Sequence, residues 1–363
     1  MDELFLARVR GLAAAGRAQD LAFDAVVARV AVDRFCSLAQ PSATDIERFS
    51  ALALGALDKA DAASAARIAE RLAPNPHAPE KILAKLTRRG EAAAVAVLSM
   101  AQHLSTDLLL ARAETGSGAE AAAISARIDL DRSVVAALAR RPESEALRVL
   151  ATNPAVAIER GALTALIQRG RFDLALGRAL LARADLGAGA LPLFLAADTK
   201  TRRQLILEAR RAELATPAPT ISPLEAARHA MIAAANAANR AAFAAAIAVK
   251  LRTGRAAIER MIDDPGGEPA ALLLAATGAG AGVVGDALAM LRPDLPTGAQ
   301  SGAHLAIETG SATAYRIVAA IVHGRTSRSA SASEHAPRTA ETFDAPRTGF
   351  RASGDASRRF SRG

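Results

Sequence analysis

The sequence predicts an all-α protein: an irregular α-solenoid of helical repeats, then a helical C-terminal domain, then a disordered tail. Three observations carry that expectation. Alanine makes up about a quarter of the 363 residues, and it is the best helix former. Aromatic residues, on which strand-rich folds draw, are only 3% of the chain, and Trp is absent. A breaker or cap followed by an apolar helix also recurs at a nearly fixed interval through the middle of the chain.

Residues 1–40 read as two N-terminal helices. Leu4, Phe5 and Leu12 open the first, and Phe23, Val26, Val27, Val30 and Phe35 form a helical stripe in the second. After Pro41, Thr44 with Glu47 reads as a capping box, and Ile46, Phe49, Leu52, Ala53, Ala56 and Leu57 share the face of the helix that follows. The repeat array spans 41–215. Its recurring segments open at Asn75, Gln102, Ile128 and Asn153, with a looser copy at Ala184. A period of 25–27 residues holds two short helices per unit. Such a unit cannot bury its apolar face alone and must stack on its neighbours.

Thr216-Pro217-Ala218-Pro219-Thr220 is the best linker in the chain. A C-terminal domain follows over 222–323. Ser222 caps its first helix, with Pro223 in the first turn and Glu225 three residues after the cap. Leu224, Met231, Ile232, Phe243, Ile247 and Leu251 place one helix face as far as residue 251. Shorter helices are expected at 256–262, 269–277, 283–291 and 303–322. Residues 324–363 are rich in Ser, Arg, Ala and Thr and read as a disordered basic tail.

Composition excludes several functions. A single cysteine, Cys36, rules out an internal disulfide or a multi-cysteine metal cluster. The near-absence of Tyr and Trp argues against aromatic cages and base-stacking platforms. The acidic start Met1-Asp2-Glu3-Leu4 is unlike a signal peptide. The longest charge-free stretch, between Glu268 and Asp286, is too rich in Gly and Ala for a membrane span. A cytoplasmic protein without membrane contact is expected. The net charge is +8, and the tail from Arg325 supplies half of it with eight Arg against four acids.

No catalytic constellation emerges. Gly280, Gly282 and Gly285 match the G-x-G-x-x-G pattern of dinucleotide sites, but Pro269 suits a helix start and no β-α-β alternation surrounds them. They read as a turn between helices. Asp263, Asp264 and Glu268 around Pro265-Gly266-Gly267 read as a helix end and a new helix start, since a Mg²⁺ or Ca²⁺ loop needs more ligands at fixed offsets. Among the histidines, His103 with Asp107 and His304 with Glu308 have helix-face spacing and lack a nucleophile to serve. Cys36, between Phe35 and Leu38, reads as a small core residue. No cofactor, metal or small-molecule ligand is expected.

Two features bear on partners. Arg67, Arg71, Lys81, Lys85, Arg88, Arg89, Arg140, Arg141, Arg148, Arg160, Arg169 and Arg171 lie on the repeat helices, where they could line a phosphate-tracking groove or merely solvate. The tail repeats Ala-Pro-Arg-Thr with Phe343 and then Phe350, and ends on Arg358-Arg359-Phe360. Phe343, Phe350 and Phe360 with Arg347, Arg351, Arg358 and Arg359 are therefore the candidate partner-binding residues.

The capped Asp45-Ile46-Glu47-Arg48-Phe49 helix with the repeats behind it, and Glu259-Arg260-Met261-Ile262-Asp263-Asp264-Pro265-Gly266-Gly267-Glu268-Pro269 with its Leu run, resemble the alphaproteobacterial domain of unknown function 2336 (DUF2336) family. The repeats are similar to HEAT-like or leucine-rich-variant helical repeats. The resemblance brings no catalytic residues. It implies an all-helical, cytoplasmic protein that binds another macromolecule. The expectation is a non-enzymatic binding or scaffold protein that holds a protein partner on its solenoid surface. The alternatives are nucleic-acid association through basic helix faces and the Arg-rich tail, and an enzyme of unknown chemistry.

Overall fold

The computed structural model describes residues 23–215, 222–295 and 297–324, together with residues 7 and 11. Among the described residues the secondary structure is helix and turn, without strand. The elements in chain order are α1 (Phe23–Cys36), α2 (Ala43–Leu57), α3 (Ala62–Leu72), α4 (Glu80–Leu86), α5 (Glu91–Met100), α6 (Thr106–Thr115), α7 (Gly118–Ser125), α8 (Arg132–Leu138), α9 (Ser144–Thr152), α10 (Arg160–Gly170), α11 (Leu174–Leu181), a 3₁₀ segment (Gly187–Ala196) and α12 (Thr199–Ala215). A 3₁₀ turn (Glu225–Ala227) then leads to α13 (Arg228–Asn236), α14 (Arg240–Lys250), α15 (Arg255–Ile262), α16 (Glu268–Ala275), α17 (Ala281–Leu291), α18 (Gly298–Thr309) and α19 (Ser311–His323).

Alternate helices touch. α1, α3, α5, α7, α9, α11 and the 3₁₀ segment form one continuous stack, while α2 packs on α4, and α6, α8 and α10 run on to the 3₁₀ segment as a second row. The repeat starts at Asn75, Gln102, Ile128, Asn153 and Ala184 all fall just beyond the C-terminal ends of stack members. The period in the sequence is therefore the rise from one stacked helix to the next.

Side-chain bonds to backbone carbonyls join the layers. The Arg127 guanidinium, just past α7, donates to the Leu98 and Ala101 carbonyls at the end of α5, at 2.9 and 2.8 Å. Arg141, past α8, reaches the Glu114 and Gly116 carbonyls at the end of α6. Arg183, past α11, reaches Ala151, Asn153 and Val156 around the end of α9. Arg292, past α17, reaches Ile262 and Asp264 at the end of α15. Each is forked by a carboxylate two residues on: Asp129, Glu143, Asp185 and Asp294. A helix C-terminus leaves carbonyls without partners and carries partial negative charge, so a guanidinium from two helices later answers both needs. Asn153, itself buried, does the same with neutral donors to the Ser125 and Arg127 carbonyls.

Two apolar clusters fill the interior. One runs from Val27 to Ala101, with Phe35 and Phe49 stacked at 4.2 Å. The other is continuous from Leu98 to Val322, so the later repeats and the C-terminal helices share one core. α16 lies in the middle of it. Pro269–Ala275 are all buried there, among α15, α17, α18 and α19. An eight-residue helix that is apolar on every side is what such a position calls for.

Several details differ from the sequence expectation. The first helix of residues 1–40, apart from residues 7 and 11, and the 216–220 linker lie outside the described residues. On α1 the buried face is Val27, Ala28, Ala31, Val32 and Phe35, while Val26 and Val30 face outward, because alanines let the neighbouring helices close in. The cap of α2 is Ser42 with Asp45, two residues before the expected Thr44 and Glu47. Ser222 does cap, accepting from the Glu225 N–H at 3.1 Å, but it starts a 3₁₀ turn. The helix expected to reach 251 breaks after Asn236, at the positive φ of Ala238, and Asn239 caps α14. The helix expected over 303–322 breaks at Gly310, φ +72°. Among the described residues no single helix is long and apolar enough to cross a membrane, and α18 and α19, which together have that apolar length, meet at 98°.

A candidate binding cavity

α12 closes the repeat array and packs against the 3₁₀ segment, α18 and α19. Between it and α18 lies a cavity of about 750 Å³. Its apolar floor is Ile206, Ala271, Leu288, Leu295 and Leu305, and its walls include the Gly266-Gly267 turn and the first turn of α18. Arg203, Leu207 and Arg210 of α12 and His304 and Glu308 of α18 stand at the rim.

The turn that forms one wall is Asp263-Asp264-Pro265-Gly266-Gly267-Glu268. Gly267 sits at φ +78°, and a Cβ there would lie 2.5 Å from Leu295. Glycine therefore lets the backbone turn and lets Leu295 reach the floor. The three carboxylates are occupied by guanidinium groups. Arg202 is held by both Asp264 oxygens at 2.7 Å and by Glu268 at 2.8 Å, with Arg202 and Asp264 both buried. Burial works against the Arg202 charge, but Asp264 and Glu268 outweigh it and raise its pKa. Asp263 pairs with Arg240. Asp264 and Glu268 thus fix the loop between α15 and α16 to α12, and Asp263 ties it to α14.

The outer face of α12 carries Arg203, Leu207, Arg210 and Leu214 at i, i+4, i+7 and i+11, a single helical stripe. Leu207 is 48% exposed and Leu214 75%. On α18, Ile307 is 71% exposed, next to Glu308, whose carbonyl accepts from Arg210 at 2.8 Å. Leu207 thus lines a hollow with an apolar floor, with two further exposed aliphatic side chains on the same two helices. Nothing in the wall pairs a nucleophile with a base. His304 and Glu308 are exposed, 3.4 Å apart. The arrangement suits an apolar side chain of another chain, with polar groups at its edge.

The other sequence candidates are dispersed. Gly280 caps α17, and Gly282 and Gly285 lie in its first turns, so the glycine pattern joins two helices. His103 precedes α6, whose cap is Ser105, and Asp107 lies in its first turn; both are exposed. Cys36 is half-buried at the end of α1, its thiol pushed up by burial. Of the twelve basic residues on the repeat helices, Arg141 and Arg171 are tied to carbonyls as described here and below, Lys85 donates to Leu54 and pairs with Asp58, and Arg89 reaches Ala60. Phe343, Phe350, Phe360, Arg347, Arg351, Arg358 and Arg359 lie outside the described residues. The α12 stripe was missed at the sequence level, although Arg203-x₃-Leu207-x₂-Arg210-x₃-Leu214 is visible there as a period that no core face accounts for.

No curated protein and no solved structure matches the chain. Residues 93–230 match the model of a family described as an uncharacterised protein conserved in bacteria. The match includes α12 and its stripe and stops before the opposite wall of the cavity. From α5 to the start of α13, the chain is similar to the DUF2336 family.

Proposed function

We propose that the chain is a non-enzymatic, cytoplasmic binding protein, a HEAT-like solenoid that holds an apolar segment of a protein partner between α12 and α18. The observation that carries this reading is a cavity floored by aliphatic side chains with exposed Leu207 in its wall, together with exposed Leu214 further along α12 and exposed Ile307 beside the rim residue Glu308. Stacked helical layers give such a groove a rigid wall. A partner would insert one or two aliphatic or aromatic anchors and set acidic groups against Arg203 and Arg210. The nucleic-acid alternative draws less support, because Lys85, Arg89, Arg141 and Arg171 are spent on internal carbonyls and are not offered to phosphates.

The test is affinity capture with the full chain, followed by cross-linking that maps the contact. The reading expects a protein attached to α12 and α18, lost from a Leu207→Asp, Ile307→Asp double variant of unchanged thermal midpoint. A salt series separates the alternative, since binding through phosphates weakens steeply with added salt. Capture unaffected by the double variant, a nucleic acid with a steep salt slope, or a small molecule filling the cavity would each overturn the proposal.

A further inference from the structure

A second patch lies where the chain leaves the described fold. Phe172, just past α10, is 66% exposed. The Arg260 guanidinium of α15 stands 4.6 Å from its ring centroid and that of Arg171 5.2 Å away. Leu174, 46% exposed, extends the apolar area. Arg260 donates to the Arg171 carbonyl at 3.1 Å, while Arg171 is turned inward onto the Ile321 and Val322 carbonyls. Neither guanidinium is ion-paired with a carboxylate among the described residues. Burial, and then the Arg260 charge, push the Arg171 pKa down. The adjacent acid, Asp173, is engaged as the cap of α11, accepting from the Ala175 and Leu176 N–H groups. The exposed Phe172 ring thus lies beside two guanidinium groups that have no carboxylate partner among the described residues.

Gly324, the last described residue, sits beside this patch. Its carbonyl accepts from Gln168 at 2.7 Å, in the final turns of α10. Residues 325–363 follow, with three phenylalanines in contrasting company. Phe350 stands next to Arg351, and Phe360 follows Arg358 and Arg359. Phe343 alone is bracketed by acids, in Glu341-Thr342-Phe343-Asp344. We propose that this acidic-aromatic segment docks in cis on the patch, with Phe343 against Phe172 and Leu174 and its carboxylates toward Arg260 and the exposed Arg169. Aromatic packing and opposite charge select it over the other two phenylalanines, which bring arginines to an already cationic site. A random-coil chain of the nineteen residues from Gly324 to Phe343 would span about 24 Å root-mean-square. The patch lies within that reach, so the segment meets it at an effective concentration of order millimolar. Phe350 and Phe360 are then left for another partner.

Disulfide trapping in the full chain tests this. In a Cys36→Ser background, Leu174→Cys is combined with Thr342→Cys or, as a comparator, Gly349→Cys. The proposal expects the Thr342→Cys pair to close at least about fivefold faster, as a monomer, since both tethers are of similar length. Adding Phe343→Ala or Arg260→Glu should erase the preference. Glu341→Arg with Asp344→Arg should restore it in the Arg260→Glu protein, which also shows that the patch is still folded. Equal closing rates, a preference that survives Arg260→Glu, or bonds formed only between two copies would overturn the proposal.

Discussion

Replacing Arg127 by Ala tests the stacking argument most directly. The side chain is 8% exposed, and its guanidinium satisfies the Leu98 and Ala101 carbonyls at the end of α5 and is forked by Asp129 at 2.6–2.8 Å. Leaving a buried acceptor without a donor costs about 1–3 kcal/mol. Two such carbonyls give about 2–6 kcal/mol, to which Asp129 adds little because it can turn to water. At the usual unfolding entropy of a domain this size, the thermal midpoint should fall on the order of 10 °C. The location matters as well. Leu98 belongs to the larger apolar cluster, and Ala101 to the one that ends there. Arg127 therefore pins the seam between the two. Hydrogen exchange should accelerate in α1–α5 of the variant while α13–α19 keep their protection. Arg127→Lys should recover only part of the loss, since an ammonium cannot span the carbonyls and fork Asp129 together. The comparator is Arg132→Ala, whose side chain is 82% exposed and pairs with Glu159 at the surface. It should change stability by no more than about 0.5 kcal/mol. If Arg127→Ala cost no more than Arg132→Ala in a denaturant titration followed by circular dichroism, the interlayer bonds would be ornaments of the fold and the reasoning would be wrong.

Arg202→Met should destabilise by about 3–5 kcal/mol, because Asp264 is left buried and unpaired; a triple variant that also replaces Asp264 and Glu268 by apolar residues should recover much of that in the same melt. Gly267→Ala should cost more than about 1 kcal/mol, for its positive φ and for Leu295, whereas Gly282→Ala, which meets open space in the first turn of α17, should be neutral or slightly stabilising. Acid should unfold the protein below the ordinary carboxylate range. Arg292 holds Asp294 down at about 2, and Arg183 and Arg141 lower Asp185 and Glu143 in the same way. Folded-state pKa values below the unfolded ones contribute stability that is complete above pH ~4 and lost as pH falls toward 2. A thermal midpoint that already declined between pH 7 and 5 would contradict this.

The candidate site was legible only in pieces. The Asp264-Pro265-Gly266-Gly267-Glu268 turn stood out in the sequence as a helix end and a helix start, which it is. That its two buried-side acids would clasp Arg202, sixty-two and sixty-six residues earlier, could not be read from local spacing. The same holds for the arginines. Arg-x-Asp or Arg-x-Glu past a helix end is visible at 127, 141, 183 and 292, but its meaning depends on which earlier helix end packs beside it. On α1 the buried face was misread because valine outweighs alanine on any hydropathy scale, while close packing between helices favours the smaller residue.

The sequence by itself determined helix over strand, through alanine and the absence of aromatic ladders. It also determined where stacked helices end, because the breakers at Asn75, Gln102, Ile128, Asn153 and Ala184 act within a few residues of chain. Local propensity and capping are short-range, so one sequence carries them openly. Only the tertiary structure decided which charges are structural and which face outward. Arg202, Arg127 and Arg171 are buried against partners far along the chain, whereas Leu207, Leu214 and Ile307, apolar by type, are left at the surface. A side chain's solvent exposure depends on what folds back onto its helix, and that is settled by the packing of distant segments.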